Sequence, residues 1–73
     1  MRVIFLRTTP TGQREAGVIV YQAGRLTVDP DVQPLADHLL QDVDQSNPAA
    51  TEAALRKAPT VYDGAYLRAA VEG

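Results

Sequence analysis

The stretch GVIVYQAGRLTV, Gly17 to Val28, decides the fold, because its turn sets which residues of a hairpin face a core. Val18, Ile19, Val20 and Tyr21 run together in it, whereas a sheet covered on one side should alternate apolar with polar. A two-residue type I′ loop at Ala23-Gly24 would demand φ > 0 at Ala23, which a β-carbon disfavours. A type I turn over Gln22-Ala23-Gly24, with Gly24 left-handed, avoids that demand. It predicts Tyr21 opposite Arg25, Val20 opposite Leu26, Ile19 opposite Thr27 and Val18 opposite Val28. Val18, Val20, Leu26 and Val28 then face a core, and Ile19, Tyr21, Arg25 and Thr27 face away.

Around this hairpin the chain reads as β-β-β-α-α-β. MRVIFLRT is a first strand, apolar at both parities. TPTGQR, residues 9–14, is a loop of turn formers, and EAGVIVYQ is the second strand, where Gly17 signals a bulge or a close backbone approach. Val32, Leu35, Ala36, Leu39, Leu40 and Val43 recur with helical spacing. Asp31 as N-cap leaves Pro34 where no intrahelical N–H bond is lost. Asn47 followed by Pro48 opens a second, alanine-rich helix through about residue 58, with Pro59 as its stop. Asp63-Gly64 marks a turn, and Ala65 to Val71 form the last strand. The predicted fold is one α+β domain over residues 1–73, with two layers. Its four-stranded antiparallel sheet has the order 3-2-1-4, with both helices on one face.

Composition narrows the chemistry. Without cysteine there is no disulfide, iron–sulfur cluster or thiol catalysis, which fits a reducing compartment. The apolar run Val3 to Leu6 is too short for a signal peptide core or a membrane span, so a cytoplasmic protein is expected. The formal net charge of −2 supplies no global positive field for nucleic acid. Charge is nevertheless polarised along the chain. Residues 26–55 hold Asp29, Asp31, Asp37, Asp42, Asp44 and Glu52 without a single Lys or Arg, while residues 1–25 set four arginines against Glu15.

Catalytic motifs are missing. His38 and Ser46 are the only residues of their types and lie on different elements, so His38 is expected to make an i, i+4 pair with Asp42. DPDVQP opens like a calcium loop but has Pro34 at the glycine position and Leu40 at the bidentate glutamate position. Asp37, His38 and Asp42 lack a third ligand, and TPTG precedes a strand rather than the helix a phosphate cradle needs. No enzyme activity, cofactor, metal or small-molecule substrate is expected.

Two apolar strand faces and one helical layer leave one set of apolar residues uncovered. The free sheet face is therefore the predicted interface, for self-association as a homo-oligomer or for a protein partner. Its residues are Ile19, Tyr21, Arg25 and Tyr66, with Ile4, Leu6, Arg7 and Arg68 around them. The same arginines and tyrosines offer an alternative, a small nucleic-acid-binding surface. A further alternative is an acidic inhibitor of a host protein acting through the first helix.

The carboxy-terminal VYDGAYLRAAVEG, together with VIVYQAGRLTV, resembles segments of short uncharacterised bacterial and phage or prophage proteins, over about half the chain. The resemblance implies no activity. It implies an accessory or virion-associated role.

Overall fold

The computed structural model describes every residue except Asp63 and Ala65. Strands β1 (Arg2–Thr9), β2 (Gly12–Gln22), β3 (Arg25–Val28) and β4 (Leu67–Glu72) form an antiparallel sheet in the order β3-β2-β1-β4. A 3-10 turn, Pro30–Val32, leads into α1 (Gln33–Leu40), followed by α2 (Pro48–Leu55) and the single-turn α3 (Ala58–Val61). This is the α+β, two-layer arrangement expected from the sequence, with the helical layer on one side of the sheet.

The central hairpin departs from the expected register by one residue. Ala23 and Gly24 both take positive φ, +52° and +73°, which is the type I′ geometry. Gln22 therefore faces Arg25, Tyr21 faces Leu26, Val20 faces Thr27 and Ile19 faces Val28. Because side chains alternate, the slip inverts the whole of β2. Ile19 and Tyr21 are buried at 0% and 6% exposure, and Val18 and Val20 take the open side. The β3 assignments survive: Leu26 and Val28 pack on the core, and Arg25 and Thr27 are exposed.

The physical reason lies in volume. The helical layer contributes several small residues (Ala36, Thr51, Ala58) beside Val32, Leu40 and Leu55. The sheet must supply bulk, and it does so with Phe5, Ile19 and Tyr21. Seating Ile19 and Tyr21 inward offsets the left-handed strain of Ala23, roughly 1–2 kcal/mol, with about 1.5–3 kcal/mol for each large side chain fully buried.

Gly17 lies at the bulge that the sequence offered as one reading, and what approaches it is a side chain rather than a backbone. The β1–β2 register shifts between Phe5 and Leu6, where Phe5 faces Gly17 and Leu6 faces Glu15. Gly17 also lies against the fully buried Val32 of the 3-10 turn. β3 ends at Val28, and Asp29 closes the edge there: its amide donates to the Val18 carbonyl (3.1 Å), and its carboxylate accepts from the Val18 amide (2.9 Å). That carboxylate is accordingly not a helix cap, and neither is the expected Asp31, which sits within the 3-10 turn.

Other boundaries differ too. The loop of residues 9–14 is a hairpin connection, shorter than expected, with Thr9 facing Gly12 and Pro10-Thr11 at its tip. α1 stops at Leu40, short of Val43, and Asp42 adopts φ +62°. The Asn47 cap is as expected, its side chain accepting from the Ala50 amide at 3.2 Å. Pro59 does not end a helix but lies in the first turn of α3, where its missing N–H is harmless. β4 begins at Leu67 rather than at Ala65; Ala65, like Asp63 of the expected turn, lies outside the described residues.

Candidate functional site

The face of the sheet turned away from the helices is built by strand alternation. β1 contributes Arg2, Ile4 and Leu6, β2 contributes Glu15, Val18 and Val20, and β4 contributes Arg68, Ala70 and Glu72. Cross-strand pairing arranges them in rows. Thr27, Val20, Arg2 and Glu72 form one row, Val18, Ile4 and Ala70 the next, and Glu15, Leu6 and Arg68 the third. Ile4, Leu6, Val18 and Val20 thus form one aliphatic centre; each is half-buried by its neighbours and none is covered by a helix. An ion pair, Arg2 Nη1 to Glu72 Oε2 at 3.4 Å, edges the face. A shallow concavity of about 350 Å³ lies beside the hairpin turn, lined by Val20, Gln22, Ala23, Arg25 and Thr27.

Four of the expected interface residues belong here: Ile4, Leu6, Arg25 and Arg68. Ile19 and Tyr21 do not, because the register places them in the core. Arg7 does not either. It shares the parity of Val3 and Phe5, faces Leu67 on β4, and stands directly opposite Arg14 of β2 on the exposed hairpin arm. Tyr66 is 81% exposed, and its carbonyl accepts the Thr8 amide at 3.1 Å, extending the β1–β4 ladder by one step. Val18 and Val20 are the residues that sequence reasoning missed. The signal for them was the demand of a small-residue helical layer for the larger side chains of β2.

The nucleic-acid alternative keeps Arg25 and Arg68 on the open face but loses Tyr21 and Arg7 from it. Tyr21 is buried, Arg7 lies on the other face, and Arg25 and Arg68 sit on opposite edge strands. The acidic segment is largely occupied locally. Asp29 holds the Val18 amide, Asp37 Oδ1 accepts from Gln33 Nε2 at 2.9 Å, and Asp44 accepts from the Ser46 hydroxyl and amide. Those Ser46 bonds hold the Asp44 carboxyl below its ordinary value. His38 does not pair with Asp42. It lies edge-on to Tyr62, with centroids 6.2 Å apart, beside a groove of about 220 Å³ lined also by Leu39, Val43, Ala54, Lys57 and Val61.

Among the described residues, no group of three or more acidic or histidine side chains is placed to hold a metal ion, and no helix is long and apolar enough to cross a membrane. No family model, curated protein or solved structure matches this chain.

Proposed function

We propose that this chain is a non-enzymatic protein-interaction module that works by covering the open face of its sheet with a partner protein. The observation that carries this reading is the aliphatic centre Ile4, Leu6, Val18 and Val20 on a side no helix packs against. The small core makes such burial worthwhile, since a chain of this size supplies only about 3–5 kcal/mol from one core. Charge specifies the partner further. Arg2, Arg25 and Arg68 outnumber Glu15 and Glu72 on this side, and among the described residues no carboxylate lies within ion-pair distance of Arg25. The fitting surface is an aliphatic patch with carboxylates at its rim.

A photo-crosslinking residue installed at position 18, on the open face, or at position 37, on α1, tests this. Trapping of a partner from position 18 alone supports the reading. Trapping from position 37 alone would transfer the function to the acidic helix. Low-salt binding of a single-stranded oligonucleotide, abolished by Arg25→Glu, would transfer it to nucleic acid.

A further inference from the structure

We infer that β4 is a self-pairing edge, joining two copies of this chain into one continuous sheet about a two-fold axis at Ala70. β4 pairs with β1 on one side and, among the described residues, with no strand on the other. Natural sheets usually protect such edges with brevity, proline, charged side chains, a bulge or a covering segment. The opposite edge is protected in this way: β3 has four residues, and Asp29 caps the β2 backbone beyond it. β4 has six residues, LRAAVE, with a regular register against β1; its protection is confined to its ends, where Arg68 and Glu72 stand and the Arg56 side chain donates to the Gly73 carbonyl at 3.3 Å, leaving Ala69 to Val71 open.

The ladder shows which backbone groups are open. The Thr8 amide donates to the Tyr66 carbonyl, so hydrogen-bonded pairs with β1 fall at Tyr66, Arg68, Ala70 and Glu72. The N–H and C=O groups of Leu67, Ala69 and Val71 therefore point to the open edge. An antiparallel copy must match these residues to one another. With the two-fold axis at Ala70, Ala69 and Val71 of one copy exchange hydrogen bonds with Val71 and Ala69 of the other.

Charge then selects the register. The open-side residues of β4 run Arg68, Ala70, Glu72, a cation, a small neutral residue and an anion. Centring on Ala70 places Arg68 opposite Glu72 of the second copy, twice, at non-hydrogen-bonded positions where side chains approach most closely. Sliding by one step in either direction sets a charge against Ala70. Sliding by two sets Arg68 against Arg68 or Glu72 against Glu72. Glu72 already takes one Arg2 nitrogen, and a carboxylate accepts several donors, so Arg2, Glu72 and the second copy's Arg68 form a chain of alternating charge. The contact is isologous and closed. Because the axis is perpendicular to the sheet, both open faces lie on the same side, doubling the surface proposed above for a partner. The pairing itself does not depend on that proposal.

Sedimentation of the full chain up to about 1 mM, a range suited to an interface of this small size, tests the pairing. The wild-type chain should dimerise, with the Ala69 and Val71 amides gaining hydrogen-exchange protection as concentration rises. Arg68→Glu and Glu72→Arg should each weaken the dimer by about tenfold or more by opposing like charges. Mixing the two variants should restore it, because every pair across the axis is then opposite in sign. Ala69→Pro removes an edge donor that the β1 ladder does not use, and should give a folded monomer. Val18→Glu should leave the dimer intact while abolishing capture of a face partner, which separates this inference from the preceding one. A wild-type chain that stays monomeric at about 1 mM would overturn it. So would a dimer that survives both Arg68→Glu and Ala69→Pro.

Discussion

The Cγ1 of Val32 lies 2.6 Å from where a β-carbon on Gly17 would stand, and its Cγ2 lies 3.0 Å away. Val32 is 1% exposed, so its methyls cannot swing into solvent to make room. Gly17→Ala should therefore destabilise the domain by about 1–3 kcal/mol through overpacking. In thermal unfolding, Val32→Ala in the same chain should recover part of that loss, giving a double-mutant coupling above about 0.5 kcal/mol. Independent, additive effects would show that the 3-10 turn does not press on β2.

The hairpin turn predicts opposite signs at adjacent positions. Ala23 holds φ +52° with no glycine to relieve it, whereas Gly24 holds φ +73° in open space. Ala23→Asn, which suits the first position of a type I′ turn, should raise stability by about 1 kcal/mol. Gly24→Ala should lower it by a similar amount, through backbone strain alone. Chemical denaturation of both variants measures this, and a destabilising Ala23→Asn would contradict the turn geometry.

The element order, sheet order, Asn47 cap and the bulge at Gly17 were legible because each follows from local periodicity or from a residue with few conformational options. The hairpin register was not, because two principles conflicted there. Local sterics disfavour a left-handed Ala23, and the outcome depends on which β2 side chains best fill the space beneath the helices, which local sequence does not set. Alternation transmits the one-residue difference at the turn through Ile19 and Tyr21 and so inverts the faces of that strand. Ile4 and Leu6 escaped because β1 takes its faces from the core residues Val3 and Phe5. The end of α1 was hidden for a similar reason: Val43 continues the helical spacing, but the backbone leaves the helix at Gln41 and turns left-handed at Asp42.

Substitutions along β2 should alternate sharply in effect. Ile19 is fully buried between Val3 and Val28, so Ile19→Ala should cost about 2–5 kcal/mol. Val20 is half-buried on the open side, and Val20→Thr should change stability by less than about 1 kcal/mol. Urea unfolding of the two variants reads the register directly. The reverse ranking would restore the type I turn and put Ile19 and Tyr21 back on the surface.

Tyr62 predicts alkaline sensitivity. Its half-buried ring meets Phe5 edge-on, with centroids 5.5 Å apart and planes at 82°, and desolvation raises its phenol above the ordinary value of 10.0. The unfolded phenol therefore ionises first. Stability from this group is fully present below pH 10.0 and falls as pH climbs through that value toward the raised folded one. Tyr62→Phe retains the ring contact and deletes the proton, so its stability should decline less steeply than that of the wild-type chain above that pH. Comparing the two chains cancels every contribution that they share. Parallel profiles would mean that the Tyr62 hydroxyl is as well hydrated in the folded chain as in the unfolded one.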